Sequence, residues 1–128
     1  MAISNTVDTL RIEILEGFGK AWDKADIDTL MLFMSEDCIY SASVGPEPGK
    51  TYTGREEVRH GFEEMLAYDE GTSLSGDTFI SGDKAISEWA YIIPNRDGSK
   101  TEIKGLDIFT FNGNKIRSKD AYRKTYPS

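Results

Sequence analysis

The sequence predicts an α+β domain in which three helices pack on one face of a single antiparallel sheet. Three observations point there. Helix-spaced apolar residues dominate up to Gly71, and strand alternation dominates after it. Hairpin signals at Gly82-Asp83, Asn95-Arg96-Asp97-Gly98 and Asn112-Gly113-Asn114 join the later strands to one another. The strand–helix alternation of a parallel sheet is absent.

Taken in order, Val7, Leu10, Ile14, Leu15, Phe18 and Trp22 form one apolar stripe, so Thr6 to about Asp23 is a helix capped by Asn5 or Thr6. Asp26 caps a second helix, Ile27 to Met34, whose buried side is Leu30, Met31, Phe33 and Met34. Cys38 to Val44 reads as a strand ended by Gly45-Pro46-Glu47-Pro48-Gly49, and Gly54 closes that loop. Arg55 to Tyr68 is a third helix, with Val58, Phe62, Met65 and Leu66 inward and Gly71 as its stop. Strands follow at Thr72–Ser81, Lys84–Ile93, Thr101–Phe111 and Lys115–Tyr126. No repeat or linker divides the 128 residues, so residues 1–128 are expected to form one domain.

Composition narrows the partners. A net charge of −7 disfavours nucleic acid and anionic membranes, which repel a negative surface. No apolar run reaches the roughly 20 residues that span a bilayer, and the first residues lack a secretory pattern. With one cysteine, Cys38, the expectation is a cytoplasmic protein. One histidine, His60, and one cysteine give no metal-ligand spacing. Phosphate-cradling glycine loops, dinucleotide fingerprints and nucleophile elbows are absent, so no cofactor is implied.

Alternation selects the candidate chemistry. One face of Thr101–Phe111 carries Thr101, Ile103, Gly105, Asp107, Phe109 and Phe111, so Asp107 is an acid among apolar neighbours. A carboxyl that loses hydration there favours its protonated form and can exchange a proton near neutrality. Pairing with a structural lysine is the alternative. On Lys84–Ile93, Glu88 has a similar setting beside Ile86, Ala90 and Ile92. On the last strand Arg117, Lys119, Ala121 and Arg123 share a cationic face, either solvated or a floor for an anionic group. Trp22, Trp89 and Tyr91 suit a core or a contact between copies.

Several stretches resemble a known family: Phe18-Gly19-Lys20-Ala21-Trp22-Asp23-Lys24-Ala25-Asp26-Ile27-Asp28, Ser35-Glu36-Asp37-Cys38, Val44-Gly45-Pro46-Glu47-Pro48 through Gly54-Arg55-Glu56-Glu57-Val58, and Leu106-Asp107-Ile108-Phe109-Thr110-Phe111 with Gly113-Asn114-Lys115-Ile116. Together they resemble the nuclear transport factor 2-like superfamily, in its SnoaL-like polyketide cyclase and ketosteroid isomerase branch. The resemblance implies a cone-shaped α+β barrel of cystatin-like topology with a deep apolar pocket. It also implies a homodimer through the outer sheet face, here Trp89, Tyr91, Leu106 and Ile108. Asp107 falls where the isomerases place a protonated aspartate in the oxyanion hole. Glu88, Lys119, Ala121 and Arg123 are turned into the cavity by the same alignment.

The departures are informative. Phe18 stands where the isomerases carry a tyrosine, and Ala42 where they carry their aspartate base. Ala121 replaces the second acid of the Asp-Arg-Asp trio in limonene epoxide hydrolase. Neither reaction is therefore expected in its standard form. The reading that remains is a cofactor-independent isomerase, cyclase or hydrolase acting on a hydrophobic cyclic substrate. Asp107 and Glu88 are its candidate catalytic acids, and Tyr40, Lys119, Arg123, Phe18, Trp22 and Phe109 its substrate-binding residues. A non-catalytic ligand carrier and a protein-interaction module are the alternatives.

Overall fold

In a computed structural model, residues 6–46, 49–68 and 72–124 are described. The elements are α1 Thr6–Asp23, α2 Ile27–Leu32, β1 Met34–Ser41, β2 Thr51–Thr53, α3 Arg55–Tyr68, β3 Thr72–Ser81, β4 Lys84–Pro94, β5 Lys100–Asn112 and β6 Lys115–Arg123. They form one curved, open sheet in the order β2-β1-β6-β5-β4-β3, with the helices packed on its inner face. The expected cap at Asn5, the stop at Gly71 and the continuation of β6 to Tyr126 lie outside the described residues.

The α+β architecture holds, with four corrections. The sheet is mixed: β1 runs parallel to β6, and the other pairs are antiparallel. It does not close into a barrel. Both chain halves contribute to it because α3 separates β1 and β2 from the hairpins, so β1 arrives beside the last strand with parallel direction. β1 also begins at Met34, inside the segment expected to be helical, and Thr51–Thr53 is a strand where a loop was expected.

α1 ends through a reciprocal pair of backbone bonds, Asp26 N to Ala21 O (2.9 Å) and Ala25 N to Trp22 O (3.0 Å), with Ala25 at φ 54°. Asp26 then caps α2, its carboxylate accepting from Thr29 N (3.2 Å) and Thr29 Oγ1 (2.6 Å). The apolar stripe of α1 is buried only in its second half. Leu15 and Phe18 lie in the core, whereas Val7 and Leu10 are exposed. Beyond Leu15 the N-terminal turns overhang the hairpin turns, and Arg11 takes over there. Its guanidinium donates to Gly82 O (2.7 Å) and Gly113 O (3.2 Å) and lies 5.1 Å from the Phe111 ring.

The core joins Phe18, Leu30, Met34, Tyr40, Val58, Phe62, Phe109 and Ile116 into one cluster. No helix among the described residues is long and apolar enough to cross a membrane.

Candidate active site

Cross-strand pairing turns the inner sheet face into rows. One row reads Tyr40, Lys119, Phe109, Ala85, Ile80, and the next reads Ala121, Asp107, Ser87, Thr78. A third reads Arg123, Gly105, Trp89, Ser75. The rows line a cavity of about 420 Å³, and Phe18 and Trp22 of α1 with Met65 of α3 complete its wall. That volume falls in the range of small-molecule sites.

Asp107 and Lys119 are the buried charges of this wall, 8% and 5% exposed. They are diagonal neighbours on adjacent strands, and the small Ala121 beside Asp107 leaves room for Lys119 Nζ to reach 3.2 Å from Asp107 Oδ1. The contact is an ion pair outside hydrogen-bond alignment, so Oδ1 has no hydrogen-bond partner among the described residues. The ammonium also sits 4.5 Å from the Trp22 ring centroid and 5.0 Å from that of Tyr40. Aromatic faces supply some of the electrostatic stabilisation that water would give an exposed lysine.

The aromatic wall is interlocked. Phe18 meets Phe109 at 5.6 Å and Phe62 at 5.8 Å between ring centroids. Tyr40 stacks on Tyr52 at 5.7 Å. Trp22 Nε1 donates to Tyr91 Oη at 3.1 Å, tying the helical roof to β4. Arg123 lies with its guanidinium 5.6 Å from the Trp89 centroid, and its Nε donates to Ser43 Oγ at 3.4 Å. A Cβ on Gly105 would come within 2.4 Å of the Trp89 indole and 2.3 Å of Tyr122 O, so glycine is what lets the indole lie across β5.

Asp107, Lys119, Arg123, Tyr40, Phe18, Trp22 and Phe109 thus all border one cavity, as the sequence reading grouped them. Glu88 is the exception. It pairs with Leu106, one residue out of step with the Ser87–Asp107 pair, so it belongs to the outer face and reaches only the cavity's edge. The same register brings Trp89 and Tyr91 inside, against the expectation that they form an outer contact surface with Leu106 and Ile108. Arg117 is also displaced. The β5–β6 register shifts there, leaving Arg117 exposed against Asp37 (3.1 Å) and putting Ile116 in the core. Ser87, Ser75 and Thr78, absent from the candidates named from the sequence, continue the same wall from Asp107 across β4 and β3. Strand alternation was the signal available for them, but serine and threonine hydroxyls on a strand also suit solvent.

Cys38 is fully buried, and loss of hydration pushes its thiol above the ordinary range, which suits a core residue. Among the described residues no group of His, Cys, Asp and Glu is arranged to hold a metal ion.

The fold is an open curved sheet roofed by helices, with a buried Asp107–Lys119 ion pair in the wall of the cavity between them. Residues 15–119 match the family model described as SnoaL-like domain, and the chain belongs to that family. No curated protein sequence matches it. Among solved structures, it is similar to a nuclear transport factor 2-like protein from Mesorhizobium loti, at 19% identity and a TM-score of 0.78 over 97% of this chain and 98% of that one. It is also similar to SalBIII, described as an epoxide hydrolase/cyclase-like enzyme in pyran ring formation in the polyether salinomycin. That match has 19% identity and a TM-score of 0.74 over 92% and 93% of the two chains. TerC, crystallised with polyporic acid, matches at 14% identity and a TM-score of 0.72 over 90% and 92%. At these identities the likeness is one of fold.

Proposed function

We propose that the chain is a cofactor-independent isomerase or cyclase that moves a proton on a hydrophobic cyclic substrate, with Asp107 as the acid–base group. The carrying observation is the buried Asp107–Lys119 contact of 3.2 Å beside the aromatic side chains of the cavity wall. Asp107 as carboxylate takes a proton from the carbon or hydroxyl beside a carbonyl, and Lys119 stabilises the negative charge that develops on oxygen. Tyr40, Phe18, Trp22 and Phe109 hold the ring and exclude water, and Tyr40 is an additional donor candidate. SalBIII, named for ring-forming chemistry on this fold, supports the reaction class. Glu88 takes no part, because it lies on the other face of β4.

Incubating the protein with cyclic ketones in D₂O and following exchange of the hydrogens beside the carbonyl by NMR tests the reading. The intact protein is expected to accelerate exchange, and Asp107→Asn to lower it by about 10²-fold or more. Acceleration that survives the substitution, or ligand binding without exchange, would leave a carrier. The direct ion pair is the observation that favours that second reading, since it can serve as a structural plug.

We propose further that two copies associate through the outer sheet face, where Phe79, Ile86 and Tyr122 are 58%, 38% and 52% exposed.

A further inference from the structure

Asp107 carries an acceptor that the fold surrounds but does not satisfy. The residue is 8% exposed, and its Oδ1 has no hydrogen-bond partner among the described residues. The neighbours on its row explain why. Ala121, paired with it on β6, has no polar side-chain atom. Ser87, paired with it on β4, shares a hydrogen bond with Thr78 Oγ1 at 3.2 Å instead. Lys119 Nζ stands 3.2 Å from Oδ1, close enough to balance the charge but out of line for a hydrogen bond. The same ammonium lies 4.5 Å from the Trp22 centroid and 5.0 Å from that of Tyr40, which hold it to one side of the carboxylate. Asp107 borders the cavity, so a ligand can bring the donor that Oδ1 needs.

A buried acceptor without a hydrogen bond is costly, a charged one most of all, and folded proteins keep few of them. Water can donate there, and a ligand that displaces water must donate in its place or bind more weakly. We propose that the ligand presents a neutral hydroxyl to Asp107 Oδ1, which makes it a cyclic alcohol, phenol or enol. Other groups fit less well. A ketone or an ether only accepts, so its lone pairs would face the carboxylate. A ligand carboxylate brings no proton and sets a second negative charge beside Asp107. An ammonium sets a second cation beside Lys119, which already lies 3.2 Å from the same oxygen. A hydroxyl donates to Oδ1 and still accepts, so its oxygen can take an N–H from Lys119. Phe18, Trp22 and Phe109 then cover the ring that carries it. This assignment rests on the cavity being the ligand site, as proposed above, and it selects the hydroxyl from the two proton sources given there.

The two tryptophans of the chain, Trp22 and Trp89, both border the cavity, so indole emission reports its occupancy. The test titrates decahydro-2-naphthol, its methyl ether and 2-decalone into the full chain; none of the three absorbs or emits with the indoles. The alcohol is expected to bind about tenfold or more tighter than the ether and the ketone. The double variant Asp107→Leu/Lys119→Met removes the acceptor without leaving a lone buried charge. It should bind alcohol and ether equally, and its response to the ether shows that it is folded. Equal binding of alcohol and ether by the unaltered protein, or a tighter ketone, would overturn the hydroxyl assignment and leave the cavity as a ligand site. A preference for the alcohol that persists in the double variant would overturn it too, because the acceptor would then lie elsewhere. If none of the three compounds perturbs the tryptophans of the unaltered protein, the cavity reading falls with it.

Discussion

Lys119 is held by three partners at once: the Asp107 carboxylate and the faces of Trp22 and Tyr40. Removing it would leave a carboxylate 8% exposed with no cation beside it. Lys119→Met is therefore expected to lose about 3–5 kcal/mol in chemical denaturation, and the double variant with Asp107→Asn to regain most of it. A double variant as unstable as the single one would show that the cost is packing rather than charge. Gly105→Ala makes a separate case. The added methyl meets backbone at 2.3 Å, and backbone cannot give way as a side chain can, so a loss of about 1–3 kcal/mol with altered tryptophan emission is expected. Asp107 was legible in the sequence because a single acid on an apolar strand face stands out by parity alone. Glu88 has the same local pattern and the opposite placement. What separates the two is the pairing of Ser87 with Asp107, and register between strands leaves no trace in the alternation of either one.

At the level of elements, the joint between α1 and α2 contains a correctable cost. Ala25 occupies the left-handed region at φ 54°, where a Cβ is unfavourable by about 1 kcal/mol and glycine is the usual residue. Ala25→Gly is expected to stabilise the protein by up to about 1 kcal/mol in denaturation. Strand β2 supplies a pH-dependent contribution. Tyr52 packs beneath α3 and donates to Glu64 at 2.8 Å, and its phenol is pushed up to about 12, first by burial and then by that carboxylate. Because the folded state holds this proton more tightly, the stabilisation is complete below the ordinary value of 10 and disappears as pH rises to about 12. Tyr52→Phe should flatten that alkaline fall in melting temperature. Three residues with two turn-like neighbours gave no periodicity to read, so β2 escaped the sequence. α3 did not: its bounds followed from the spacing of Val58, Phe62 and Met65.

Across the whole molecule, the outer sheet face carries Phe79 beside Ile86 and Ile86 beside Ile108, with Leu106 next to Tyr122. Association through it is expected to appear as a dimer in sedimentation and to be lost in Ile86→Glu, whose site is remote from the cavity face. A monomer at every concentration would leave these side chains without a partner copy. The sequence conveyed the helices α1 and α3 and the hairpins because each rests on local spacing, whereas the inward side of Lys119 was implied only by the family resemblance. The parallel β1–β6 pair and the choice between Trp89 and Glu88 as inward residues depend on contacts distant along the chain, which spacing does not encode.

The extra residue at Arg117 divides β6 into two lengths that natural variation can treat differently. Ile116 and Lys119 both face inward although three positions separate them, so losing Arg117 would straighten the strand and leave every cavity residue facing as before. An insertion between Lys119 and Asp120 has the opposite effect: it would rotate Ala121 and Arg123 outward and present Asp120 and Tyr122 to the ligand instead. Homologues should therefore vary in length freely at the first place and change chemistry at the second.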